Sequence, residues 1–372
     1  MIRHLKLKPD FEDAVQRFDA WWNLANDDRP IISISVKPGP YRGPVKEHAT
    51  IREAWLDVEY QVEKNIAELE RHAFPAESFP AWMPNIGPEL TSTPWGCELE
   101  FSDRTSWSVP FVESLEQWED ILAREPDWDN VYWKTIERMT DLALEMNDGR
   151  YVPAIADLHG NMDILAGLRE PQSLLMDLMD DPDLIGRACA HCARSLTEGF
   201  DRLHRKIAAH GFGSTTWTRF YHEGPAYVPS SDFWCMVNNE QAREIVLPVI
   251  RKEIEPLERS IFHLDGPDAL RHLDLLLELP ELNAVQWVYG AGNGPASAWI
   301  DVYRRCLEAG KGVEVQCSGE ADDALEVLDA LGPRGLWLSN AGRFNSLDEA
   351  NAYLDEARRR SHAAASVAAP AM

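Results

Sequence analysis

The chain has 372 residues, 45% of them hydrophobic, enough to bury a sizeable core in one large domain or two ordinary ones. Its 62 acidic residues against 36 basic ones give a formal charge of −26, which repels phosphate backbones and anionic lipid and so argues against nucleic acid and membrane surfaces as partners. Cys97, Cys189, Cys192, Cys235, Cys306 and Cys317 lack the spacing of a disulfide scaffold, and "MIRHLKLKPDFEDAV" has no apolar run of signal-peptide length, which predicts a cytoplasmic protein with reduced thiols.

Residues 10–24, "DFEDAVQRFDAWWNL", carry apolar side chains at helical spacing, and "DDRP" ends that helix before a strand at 31–36, "IISISV". Residues 50–72 read as one long amphipathic helix with Thr50 at its N-cap. The Pro-, Gly- and Trp-rich stretch 74–113 predicts strands and loops around "CELEF" and "TSWSVPF". Beyond residue 115 the pattern becomes regular. Helix 128–147 leads to strand 151–157, helices 171–179 and 182–210 lead to strand 214–220, and helix 238–256 leads to strand 260–264. Helix 267–278 then precedes strand 284–289, helix 296–309 strand 312–317, and helix 320–331 strand 335–339, with a last helix near 346–360.

Strands that each follow a helix require parallel crossovers. Two further strands from the first half would complete an α/β fold of the (β/α)8 TIM-barrel type, with an N-terminal helical and loop elaboration over about residues 1–115. The expected organisation is a single domain over 1–360, with 361–372, "SHAAASVAAPAM", as a frayed tail. An open doubly wound sheet would carry a glycine-rich first strand–helix turn, and none is present.

In such a barrel the strand C-termini converge on one mouth, so polar residues there are the first candidates for chemistry. Strand 151–157 runs into "ADLHGNMD", giving Asp157 and His159; strand 214–220 runs into "FYHEGP", giving Tyr221, His222 and Glu223; "SIFHLDGP" gives His263 and Asp265. Later strand ends add Trp287 and Tyr289, Gln316 and Cys317, and Asn340 and Arg343. Histidine beside carboxylate at three strand ends suits a divalent metal, and equally a general acid–base pair. The C-x-x-C at Cys189 and Cys192 falls inside a predicted helix without a second cysteine pair and reads as two ordinary thiols.

The segments "ADLHGNMDILAGLREPQSLLMDLMDDPDLI", "LPVIRKEIEPLERSIFHLDGP", "PELNAVQWVYGAG" and "GPRGLWLSNAGRFNSLDEANAYLDEA" resemble the uroporphyrinogen decarboxylase-like superfamily, in the branch related to cobalamin-dependent methyltransferases. The N-terminal "RFDAWWNLANDDRPIISISV" extends the resemblance over most of the chain. It implies a (β/α)8 barrel whose mouth holds zinc on a His-x-Cys-Gly and a later cysteine, with a methyl group arriving from a corrinoid. Here the matching residues are His263-Leu264-Asp265-Gly266, and "SNAGRF" has no cysteine, so Cys317 is the nearest substitute. An Asp in place of a thiolate makes the site harder and less electron-rich. The decarboxylase branch would need an arginine-rich loop near the N-terminus, where this chain has Arg29-Pro30.

Three readings follow. The first is metal-assisted methyl or other group transfer to a small molecule, with zinc or another divalent ion held by His263, Asp265, His222 and Cys317 and a corrinoid protein as partner. The second is a metal-free decarboxylase or lyase using His263, Asp265, Asp157, His159 and Glu223 for proton transfer, with Arg343 holding a carboxylate. The third is a non-catalytic barrel that binds a ligand or a corrinoid protein. In the enzyme readings Tyr221, Trp287, Tyr289 and Asn340 would contact substrate, and a homodimer is the expected assembly.

Overall fold

The computed structural model describes residues 2–368. Its centre is a parallel, curled sheet of six strands in the order Ile31–Ile32, Leu336–Ser339, Gly312–Gln316, Ala284–Val288, Arg259–Asp265, Ala226–Tyr227. Ala81–Trp82 and Val152–Pro153 pair separately, as a two-stranded parallel sheet. Among the described residues the main ladder therefore joins six strands and not the expected eight. Pro153 lacks an N–H, which helps to keep the expected 151–157 strand short.

Successive side chains of a strand point to opposite faces, and this parity sorts the molecule into two apolar clusters. Phe262, Leu264, Val285, Trp287, Val313 and Val315 join the cluster beneath the surrounding helices. Ile31, Ile261, Ala284 and Trp337 join the other, together with helix Phe11–Trp22. That helix buries Phe11, Phe18, Trp21 and Trp22, and the Trp21 Nε1–H donates to the Gly335 carbonyl at 2.9 Å, just ahead of strand Leu336–Ser339.

Several elements differ from the sequence reading for local reasons. The 50–72 helix is two helices, Ile51–Leu56 and Val58–Glu70, because Asp57 is extended and its carboxylate caps the second by accepting from Tyr60 N–H. Thr50 caps the first, as expected. The proposed 214–220 strand is instead a loop that folds back on itself, with Ser214 and His222 as an isolated antiparallel bridge. The sheet strand of this region is Ala226–Tyr227, just after it. The last helix runs Leu347–Ala368, so the expected tail starts as helix; residues 369–372 lie outside the described residues. No helix among the described residues is long and apolar enough to cross a membrane.

Candidate active site

The longest strand of the sheet, Arg259–Asp265, delivers His263 and Asp265 from the same face at its C-terminal end. Gly266, at φ +82°, then turns the chain away in a conformation that suits glycine. His263 sits opposite Gln286 in the register and Asp265 opposite Val288, so the parity carries across the ladder. His263 Nδ1 is bonded to Gln286 Oε1, which fixes the proton on Nδ1 and leaves Nε2 as the ring's lone-pair donor.

A second segment brings Asp157 and His159. The Tyr227 hydroxyl accepts from Leu158 N–H at 2.6 Å and donates to the Ala156 carbonyl at 3.0 Å, bracing the chain between them. Glu253, fully buried, accepts from the Asn161 N–H at 2.7 Å and from its side-chain amide at 3.0 Å. Gly160 is required beside it, since a Cβ there would lie 2.4 Å from Glu253 Oε1. Helix Asn161–Arg169 follows, with Asp163 in its first turn.

Asp163 in turn builds a third segment. Its carboxylate accepts from the backbone N–H groups of Asp232 and Phe233 at 2.9 and 2.8 Å, seating the short helix Asp232–Met236. Neither Asp163 nor Asp232 was among the candidates from sequence. Asp163 stands within "ADLHGNMD", but His159 precedes the extended N-cap Gly160 of helix Asn161–Arg169, so no helical spacing relates the two. Asp232 carries no local signal either.

These segments meet. Asp232, His263 and Asp265 offer ligand atoms within 4.8 Å of one another, and so do His159, Asp163 and Asp232, with Asp232 common to both groups. Burial raises the pKa of Asp157 and of Asp265, and in both the charge of Asp232 adds to the effect while His263 opposes it. Burial likewise raises Asp163, again with Asp232 adding to it. For His159 burial favours the neutral ring, but Asp157, Asp163, Glu89 and Asp232 outweigh it and lift the pKa to about 9. The cluster is thus four carboxylates around two imidazoles, sharing charge in a confined space.

Two cavities flank it. One, of about 400 Å³, is lined by His159, Asp163 and Asp232 together with Glu89, Phe233 and Met236. The other, of about 450 Å³, is lined by Trp217, Arg219, Gln316, Ser339 and Asn340. The Trp217 ring meets His263 edge-on, centroids 5.1 Å apart, so this second cavity lies one ring from the cluster. A larger depression of about 610 Å³ around Lys46–Asp57 is distant in character, an open groove between charged side chains.

Other sequence candidates lie elsewhere. The back-folded loop returns Tyr221, His222 and Glu223 to the end where strands begin: His222 bonds Glu258 at 3.1 Å, Glu223 pairs with Arg3, and Tyr221 is buried against Phe11 and Phe79. Glu258 precedes His263 by five residues, roughly 16 Å along a strand, which removes His222 and Glu223 from the cluster. Trp287 and Tyr289 have the parity opposite to Gln286 and Val288 and pack on Trp299 in the helical layer, not on the cavities. Cys317 is likewise buried beneath the helices, near Tyr303, Asp323 and Tyr353, where burial holds its thiol well above the ordinary range. No converging ligand group among the described residues includes Cys317 or His222. Arg343 lies exposed on the short strand Arg343–Phe344, its side chain against Gly319 and outside both cavities. Asn340 does line a cavity, its amide held by the Cys317 carbonyl at 3.0 Å. Cys189 and Cys192 are buried on helix Pro182–Cys192, as ordinary thiols would be.

No family model and no curated protein matches the chain. Among solved structures, a methyltransferase from Methanosarcina mazei aligns over 95% of this chain and 98% of its own, with a TM-score of 0.55 at 14% identity. At that identity the likeness is one of fold. None of these comparisons bears out the expected resemblance to the uroporphyrinogen decarboxylase-like superfamily.

Proposed function

We propose that the chain is a group-transfer enzyme, methyl transfer foremost, whose acid–histidine cluster works between a donor cavity and an acceptor cavity. One observation carries this reading: the cluster stands between two separate concavities of about 400 and 450 Å³, where a lyase acting on one substrate needs a single one. Similarity in fold to the Methanosarcina mazei methyltransferase supports it. The cavity lined by His159 and Asp232 has an apolar rim with Trp107 and Met236 exposed, suited to a partner bearing the donor group; a corrinoid protein is the partner proposed.

Within this reading Asp232, His263 and Asp265 would hold a divalent metal. Two carboxylates and an imidazole with converging ligand atoms fit such an ion, and zinc on oxygen and nitrogen donors is within its range. The thiolate pair of the related methyltransferases does not fit here, since Asp265 replaces one cysteine and Cys317 faces the helices. When bound, the ion would act as a Lewis acid on an acceptor atom. The chain's own residues do the rest: Gln286 holds the His263 tautomer, Asp163 seats Asp232, and Glu253 fixes the loop that carries His159.

Elemental analysis of the purified full chain tests the metal reading. Stoichiometric divalent metal, lost in His263→Ala and in Asp232→Ala, is expected; a metal-free wild-type protein would remove this part. Transfer itself is tested by supplying free methylcobalamin with small nucleophiles and following its absorbance. A second reading, metal-free acid–base chemistry, is favoured by the placing of His159 among Asp157, Asp163 and Glu89. It predicts turnover undiminished by chelators and abolished in His159→Ala.

A further inference from the structure

We infer that Arg219 is the anchor for a substrate carboxylate, and that the cavity beside Trp217 takes a small organic acid bearing one negative charge. This deepens the group-transfer reading by naming the chemical class of the acceptor.

The loop that replaces the expected 214–220 strand is what presents Arg219. Ser214 and His222 exchange backbone hydrogen bonds of 2.7 and 3.1 Å, closing the loop at its base, and Arg219 N–H donates to the Thr216 carbonyl at 3.1 Å to make its tip. At that tip Arg219 adopts φ +62°, a left-handed conformation that a long side chain rarely takes. Such strain persists where the surrounding structure imposes it, and it is concentrated at ligand sites. Fully buried neighbours, Thr215 and Phe220, supply that constraint.

Arg219 keeps solvent exposure as a residue and lines the cavity, yet protein surrounds its charged group closely enough that desolvation lowers its pKa. Among the described residues no carboxylate offsets that desolvation and no ion pair involves Arg219. In a chain of charge −26 an arginine in a cavity without a counter-ion is notable. Glu68, on the same cavity wall, is already engaged by Arg71 at 3.2 Å and His72 at 3.1 Å. A carboxylate seated against Arg219 would receive the guanidinium's parallel N–H donors, with Asn340 and Gln316 on the wall as further polar contacts. Trp217 and Phe79 line the cavity where the rest of the molecule would lie. One unpaired cation balances one charge; a phosphate dianion would be left with uncompensated charge beside the acidic cluster. Trp217 lies between this cavity and His263, so an acid anchored at Arg219 extends toward the cluster.

Calorimetric titration of the full chain with benzoate, benzamide and inorganic phosphate tests the assignment. Benzoate is expected to bind at least about tenfold more tightly than either of the others, Arg219→Gln to lose at least about tenfold of that affinity, and Arg219→Lys to retain part of it. Should Arg219→Gln fail to fold, phenylglyoxal modification of the wild-type protein, mapped by mass spectrometry, gives the same answer: benzoate protects Arg219. Equal binding of benzoate and benzamide, tighter binding of phosphate, or modification of Arg219 unaffected by benzoate would overturn it. Metal content is measured on the same samples. A metal-free protein that binds benzoate through Arg219 would sink the metal reading and leave this one intact.

Discussion

At the scale of single residues, the contact between Gly160 and Glu253 decides where His159 can be. A methyl group on residue 160 would meet Glu253 Oε1 at 2.4 Å, and the carboxylate cannot retreat without releasing its two hydrogen bonds from Asn161. Gly160→Ala should therefore cost about 1–3 kcal/mol, read as a lowered unfolding midpoint, and should reduce turnover beyond the loss of folded protein. Glu253 itself makes stability depend on pH. Burial pushes its pKa up to about 8 from the ordinary 4.5, against the two Asn161 hydrogen bonds, so the folded state keeps a proton that the unfolded chain has released. That contribution is complete below about pH 4.5 and is lost as pH rises through about 8. Urea unfolding at pH about 5.5 and about 8.5 should show a smaller difference in Glu253→Gln than in wild type; an equal difference would mean that Glu253 is ionised in the fold. His263, Asp265, Asp157 and His159 were legible in sequence because a strand end and a spacing of two suffice to aim side chains together. Asp232 was not, because its position is set by a carboxylate 69 residues earlier in the chain.

At the scale of elements, that same pair shows how a site can be assembled by capping. Asp163 serves the helix Asp232–Met236 as an N-terminal acceptor supplied from a different helix, and both backbone donors would be left unpaired in Asp163→Ala. A loss of about 1–3 kcal/mol in unfolding free energy is expected, together with loss of any bound metal, whereas Asp163→Asn, which keeps one carbonyl acceptor, should lose less of each. If the two variants behaved alike, the cap would not be what seats Asp232. Element types were largely readable from periodicity, with the strands Arg259–Asp265, Ala284–Val288 and Gly312–Gln316 falling where alternation and burial placed them. The segment "STTWTRF" reads as strand because β-branched and aromatic residues favour a half-buried extended chain. What turns it into a loop is the Ser214–His222 bridge and the left-handed Arg219, neither of which propensity records. A strand there would lead Tyr221, His222 and Glu223 to the mouth, whereas the loop returns them to the opposite end.

At the scale of the whole molecule, the two ends of the sheet divide the work. Strand C-termini carry the polar cluster and its cavities, while the other end is sealed by aromatic packing from helix Phe11–Trp22. Trp21 is fully buried there, its ring 4.6 Å from Trp22 and 5.6 Å from Trp337 by centroid, and it packs over Gly312, where a Cβ would approach it to 3.0 Å. Trp21, Trp22, Trp133 and Trp337 are core rings, whereas Trp217 meets His263 of the cluster. Phe79 joins the plug to the mouth, its ring 5.4 Å from Phe11 and 6.1 Å from Phe18 by centroid while it lines the Arg219 cavity, whereas the rings against Trp21 are those of Trp22 and Trp337, so damage at Trp21 should leave the mouth's binding chemistry intact. Trp21→Ala removes the ring and the hydrogen bond to the Gly335 carbonyl, and should lower unfolding free energy by about 3–5 kcal/mol. Per folded molecule, metal content and benzoate affinity should match wild type. A folded Trp21→Ala protein that had lost benzoate binding would show that the aromatic end sets the geometry of the mouth through the strands, and that the sheet transmits strain along its length.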